Sequence, residues 1–209
     1  PVNSRRLYFS IPTTGEGDAT NNYSETTYDY DGRRRLRKVK TPGGTITRYV
    51  YQATDRLLER WVGTDDTGAT DTDPSAGGTN NMKKIAAFEY DANTTGKDGL
   101  LTKQTLWEND STTRVTNYEY DFRQRRVKLT GELNSREDYL YDNQDRLTQV
   151  DGFNNVATPV RVSRRDTLHD NLGRVYRAIR YAVNSSGTVG TGLSDNTWYD
   201  AAGNVMKQT

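Results

Sequence analysis

A tyrosine followed by aspartate recurs along this chain of 209 residues, each time with the same short pattern behind it. Anchored on Tyr30, Tyr51, Tyr90, Tyr120, Tyr141, His169 and Tyr199, the intervals are 21, 39, 30, 21, 28 and 30 residues. The residue after the anchor is Asp31, Asp91, Asp121, Asp142, Asp170 or Asp200, with Gln52 as the exception. In the six uninterrupted units, which leave out that of Tyr90, five past the anchor stands Arg35, Arg56, Arg125, Arg146 or Arg174, with Asn204 departing. Six past it stands Leu36, Leu57, Leu147, Val175 or Val205, with Arg126 departing. Two before it is another ring in Tyr28, Tyr49, Phe88, Tyr118 and Tyr139. A repeat of this length is one supersecondary unit that needs its neighbours to bury a face.

The spacings describe a β-hairpin. Rings two residues apart share one face of a strand. The aspartate then closes the strand, because its carboxylate can accept backbone N–H groups further along the turn. Three turn residues follow, among them Gly32, Gly173 and Gly203, and Gly tolerates positive φ. The return strand carries aliphatics three apart, as in Leu36/Val39 and Leu147/Val150. That spacing breaks the strand period of two, so a bulge or a strand end is expected between them. Stacked hairpins should bring the Tyr rings into a ladder, with Asp and Arg forming a second ladder near the turns.

Composition agrees with an all-β fold. Leu, Ile, Val and Phe total 36 residues, about 17% of the chain, which is below the level at which a highly charged chain stays disordered. Here the net charge is only +1 and 14 of 21 aromatics are Tyr, so the interior must be built from rings with polar tips. Without cysteine there is no disulfide scaffold or thiolate chemistry, and a single histidine leaves no multi-His metal site. The sequence has no apolar run long enough for a membrane helix. Starting at Pro1 without Met, it reads as a segment of something longer.

Residues 1–22 read as a partial repeat and loop, and 23–209 as an array of about seven hairpins. Insertions without periodicity, at 62–81, 91–99 and 183–196, read as surface loops.

The Y-x-Y-D-x-x-x-R-L-x-x-V unit resembles the YD-repeat, or RHS-repeat, family of bacteria. Its relatives include the shells of polymorphic and insecticidal toxin complexes and the β-barrel of animal teneurins. The resemblance covers most of the chain and implies repetitive antiparallel hairpins in a spiralling sheet, a shell that encloses cargo such as a toxin. The family pattern has Gly just before the Arg. Only Gly173 and Gly203 match, with Arg34, Asp55, Gln124 and Asp145 there elsewhere. The self-cleavage motif of toxin-bearing members has no counterpart, since Asp73-Pro74 sits in a low-complexity stretch.

Catalytic readings are weak beside structural ones. His169 occupies an anchor position, and the aspartates are accounted for by the turns. Asp65, Asp66, Asp71 and Asp73 have no EF-hand spacing and read as a solvated linker. Arg33, Arg34, Arg35, Arg37, Lys38 and Lys40 read as a charged strand surface rather than a nucleic-acid patch, because the chain is nearly neutral. No catalytic, metal or cofactor residue is expected. The expectation is a non-enzymatic wall segment of a large exported or surface bacterial protein. Its partners would be further repeats of the parent chain or copies of itself, and an enclosed toxin. A glycan-binding adhesion module and a self-assembling fibre are the alternatives.

Overall fold

The computed structural model describes residues 2–93, 98–132, 135–154 and 157–209. The fold is all-β: fifteen antiparallel strands taken up in chain order, with no α-helix among the described residues. The strands are β1 Ser4–Tyr8, β2 Tyr23–Tyr30, β3 Leu36–Lys40, β4 Ile46–Tyr51, β5 Leu57–Gly63, β6 Lys83–Tyr90, β7 Leu101–Trp107 and β8 Thr113–Tyr120. They continue with β9 Arg126–Thr130, β10 Arg136–Tyr141, β11 Leu147–Phe153, β12 Arg161–His169, β13 Val175–Val183, β14 Val189–Tyr199 and β15 Val205–Gln208. The chain divides into two compact units, Pro1–Glu89 with Gln104–Arg114, and Tyr90–Lys103 with Val115–Thr209.

Six of the hairpins carry a bulge at the anchor. Tyr30 lies opposite Leu36 and Asp29 opposite Lys38, so Arg37 is the extra residue. The same shift occurs at Tyr51, Tyr120, Tyr141, His169 and Tyr199, opposite Leu57, Arg126, Leu147, Val175 and Val205. The bulge explains the spacing of three: Leu36 and Val39 face Tyr30 and Tyr28, and Leu147 and Val150 face Tyr141 and Tyr139.

In the first unit Tyr23, Ile46, Val50, Met82 and Ala86 form the buried hydrophobic core. Ile46, Arg48 and Val50 alternate along β4 and so share a face opposite the tyrosines. The segment 64–82 folds against that face. Arg48, only 7% exposed, donates to Asp66 at 2.7 Å and to the Thr70 carbonyl at 3.2 Å, and Lys38 reaches Asp66 at 2.8 Å. Asn81 Oδ1 accepts the Thr64 and Asp65 amides, and Asn80 donates to the Thr67 and Pro74 carbonyls. Pro74 is fully buried.

Several expectations need correction. The segment at 62–81 is not a solvated linker: its first two residues end β5, and the remainder packs through Asp66 and Pro74. In the expected loop at 91–99, residues 91–93 form a 3₁₀ turn and 94–97 lie outside the described residues. The expected loop at 183–196 is mostly strand, with a turn at 184–188 and β14 from Val189. Its glycines suggested a loop, but a Cβ at Gly192 would lie 2.5 Å from Ile179 Cγ2 and 3.1 Å from the Tyr181 ring. Small residues there admit large neighbours. Gly32 does not supply the positive φ of its turn; Arg34 does, at 65°.

Candidate functional site

The device that recurs from hairpin to hairpin is built on the turn aspartate. In the Tyr30 hairpin, Asp31 Oδ1 accepts the amides of Arg33 and Arg35, both at 2.9 Å, and Oδ2 accepts the Arg35 Nε–H at 2.6 Å. Arg34, between them, takes the left-handed conformation that lets the turn close. The remaining turns place Asp55, Gln124, Asp145, Gly173 and Gly203 in that conformation at the same position. Two of these are the glycines of the family pattern.

The arginine then leaves its own hairpin. Arg35 Nη1 donates to the Gln52 carbonyl at 2.9 Å, and its guanidinium carbon lies 4.7 Å from the centre of the Tyr51 ring. Arg125 repeats this on Asp142 at 3.0 Å and Tyr141 at 4.8 Å. Arg174 repeats it on Asp200 at 3.3 Å and Tyr199 at 4.5 Å. Arg146 binds the Asp170 carbonyl at 3.0 Å, where the anchor is His169. All four arginines are tied to their own aspartates, and Arg35, Arg125 and Arg174 also stack on the next hairpin's ring, where a cation over an aromatic contributes about 0.5–2 kcal/mol.

The anchor hydroxyls complete the link. Tyr51 donates to the Leu36 carbonyl, Tyr141 to that of Arg126 and Tyr199 to that of Val175, at 2.8–2.9 Å. Tyr30 donates to Val2 and Tyr120 to Leu101. The expected ladder of stacked phenols is therefore corrected. Tyr8 and Tyr23 make a ring-to-ring contact, whereas the anchor rings Tyr51, Tyr141 and Tyr199 each have a guanidinium over them. The anchors are half-buried, and of the paired inner rings only Tyr139 is buried. Tyr49 and Tyr118 are half-buried and face Arg60 and Leu129; Phe88 and Tyr90 lie on β6.

Electrostatics follow from these bonds. The Arg125 guanidinium, with the amides of Arg125 and Arg123, holds the Asp121 carboxyl below the usual carboxylate range. For Asp31, Asp142 and Asp170 burial is the largest single influence and acts upward. The amides and guanidinium of the arginine together outweigh it, and these carboxyls too lie low. Burial, aided by Glu137, pushes the Tyr139 phenol up to about 12.

Sequence reasoning missed a second tie. Arg33, three past its anchor, reaches Asp55 in the next hairpin, and Arg123 reaches Asp145 at 2.9 Å. The signal was present, since only these two hairpin pairs have a 21-residue interval with Arg and Asp at those places. Two repeats are imperfect in a telling way. Gln52 Oε1 and His169 Nδ1, each replacing a consensus group, are buried without a hydrogen-bond partner.

The other candidates have ordinary partners. Arg37 pairs with Asp29 and Asp71, and Lys38 with Asp66, so the basic run is largely neutralised. Asp65 and Asp73 accept hydroxyls and amides of their own turns. No group of three or more potential metal ligands forms among the described residues.

Comparison with solved structures finds this architecture elsewhere. The crystal structure of TcdB2-TccC3-Cdc42 matches 98% of the chain with a TM-score of 0.64 and 16% identity. TcdB2-TccC3 matches equally, and the Photorhabdus luminescens Tc holotoxin pore gives a TM-score of 0.62. The chain shares its fold with toxin-complex chains. It spans 10% of the length of each of them. No family model and no curated protein matches it. The toxin-complex fold and the YD-repeat resemblance of the sequence point the same way.

Proposed function

We propose that this chain is a wall segment of a β-shell in a large exported or surface bacterial protein of the toxin-complex kind, with a structural rather than catalytic role. The carrying observation is the arginine that binds its own turn and the next hairpin's carbonyl and ring, as Arg125 does on Asp121, Asp142 and Tyr141. Such a part specifies adjacency. It joins hairpins edge to edge and leaves the turn carboxylates without a substrate-facing role. The repeat positions from Tyr28 to Asp200 are, on this reading, structural, and the enclosed partner is a toxin or similar cargo.

The glycan-binding alternative finds less support. A sugar stacking on Tyr51, Tyr141 or Tyr199 would have to displace a guanidinium from the ring. Electron microscopy of the natural full-length product tests the proposal. A sheet closed round a lumen with extra density inside is expected; an open sheet or a lumen-free particle overturns it.

A further inference from the structure

One repeat keeps the socket for the arginine and lacks the arginine. The Asp91 amide donates to the Leu100 carbonyl as the Asp31 amide does to that of Arg35, and Gly99 takes the left-handed φ of Arg34. Asp91 Oδ1 accepts the Gly99 and Leu100 amides. Tyr120 donates to the Leu101 carbonyl as Tyr51 does to that of Leu36. Leu100 is therefore the structural counterpart of Arg35, Arg125, Arg146 and Arg174. Beside it opens a cavity lined by Asp91, Leu100, Thr102, Tyr118, Tyr120 and Asp121. In three other copies the counterparts of Tyr120 and Asp121 hold a guanidinium, its carbon 4.5–4.8 Å from the ring centre and Nη1 2.9–3.3 Å from the carbonyl.

We infer that the cavity beside Leu100 is a binding site for a guanidinium group, presented as an arginine side chain by a polypeptide partner. The site rests on the geometry of the repeat and does not depend on the wall function proposed above. The Tyr120 ring offers a face to the cation and the Asp121 carbonyl an acceptor. A planar group with forked N–H donors can use both, whereas an ammonium cannot stack in the same way.

The test is a titration of the 209-residue chain with N-acetyl-arginine methylamide, followed by NMR at Tyr120 and Asp121. Saturable shifts are expected, with at least ten-fold weaker binding of the lysine analogue. Leu100→Arg, which fills the socket from within, should abolish the response. Leu172→Arg, on a turn residue that is 73% exposed, should preserve it. Tyr120→Leu provides an independent variant and should weaken binding at least five-fold. Equal binding of lysine, or shifts unchanged in both Leu100→Arg and Tyr120→Leu, overturns the site. Equally tight binding of methylguanidinium overturns the polypeptide part of the inference.

Discussion

The two units hold the same hairpin by different means. In the first, the face turned away from the tyrosines is sealed by the segment 64–82, and Ile46, Arg48, Val50 and Met82 are buried beneath or within it. In the second, the corresponding face is a polar network. Asp166 takes Arg164 and Tyr181, Asp151 takes Gln149 and Arg161, and Phe153 has guanidiniums 4.3 and 5.5 Å from its centre. Tyr139 is the only buried hydrophobic residue described there. What the second unit has in quantity is the turn pair of aspartate and arginine, at Asp121/Arg125, Asp142/Arg146 and Asp170/Arg174. A short aliphatic inventory thus stretches over many strands, because most hairpins need only a neighbour and one needs a cover.

The largest expected effect breaks the cover. Arg48→Ala removes the bonds to Asp66 and to the Thr70 carbonyl while Lys38 stays on Asp66, and should cost about 2–3 kcal/mol, as loss of hydrogen bonds to a charged group does. Chemical denaturation measures the loss, and hydrogen exchange should place it in β3–β5 while β9–β14 keep their protection. Uniform loss of protection would erase the distinction between the units.

Acid attacks the turns. Folded Asp121, Asp142 and Asp170 hold their protons less tightly than the unfolded chain does. Stability is therefore complete above the unfolded carboxylate value of about 3.9 and is lost as pH falls through the lower folded values. Thermal melts should be flat above about pH 5 and fall steeply below 4. Asp142→Asn should make that fall shallower, and an unchanged slope would detach this turn from stability.

A smaller effect sharpens the role of the ring. His169→Tyr supplies a face for Arg146 and a hydroxyl that can reach the Leu147 carbonyl, so about 1 kcal/mol should be gained. A loss in the melting experiment would show that the imidazole is there for its own contacts. The smallest concerns the turn backbone. Gln124 has a φ of 64° where Gly173 has 82° with open space around it. Gln124→Gly should gain ~0.5 kcal/mol, the left-handed penalty being partly offset by the extra entropy of glycine when unfolded.

Much of the hairpin was legible in the sequence because it is written in short-range spacing. Leu36 and Val39, three apart, announced the bulge opposite Tyr30 and Tyr28. The left-handed residue was visible in Gly173 and Gly203 but hidden where Arg34 and Gln124 stand. Contacts between hairpins were less legible. That Arg125 sits five residues after Tyr120 says nothing about its lying over Tyr141, so the tyrosine ladder was expected without the cations over its rings. Arg48 could not be singled out either, since one arginine in an alternating strand does not reveal what will fold against it. In β14 composition misled, because Gly192 is small for the sake of Tyr181 and Ile179 rather than for a turn.

The arginine's reach beyond its own turn has a bearing on how such a chain can change in length. An insertion between the aspartate and the arginine displaces the side chain that carries a hairpin's own turn onto its successor. Among the described residues, the aspartate turn that is extended, at Asp91, carries Leu100 where the cation would be. Growth at the opposite hairpin end, as between β5 and β6, leaves that coupling alone and can add a segment with contacts of its own. Lineages of this repeat should therefore gain new sequence mainly at the ends without aspartate, keeping the other side as a conserved seam.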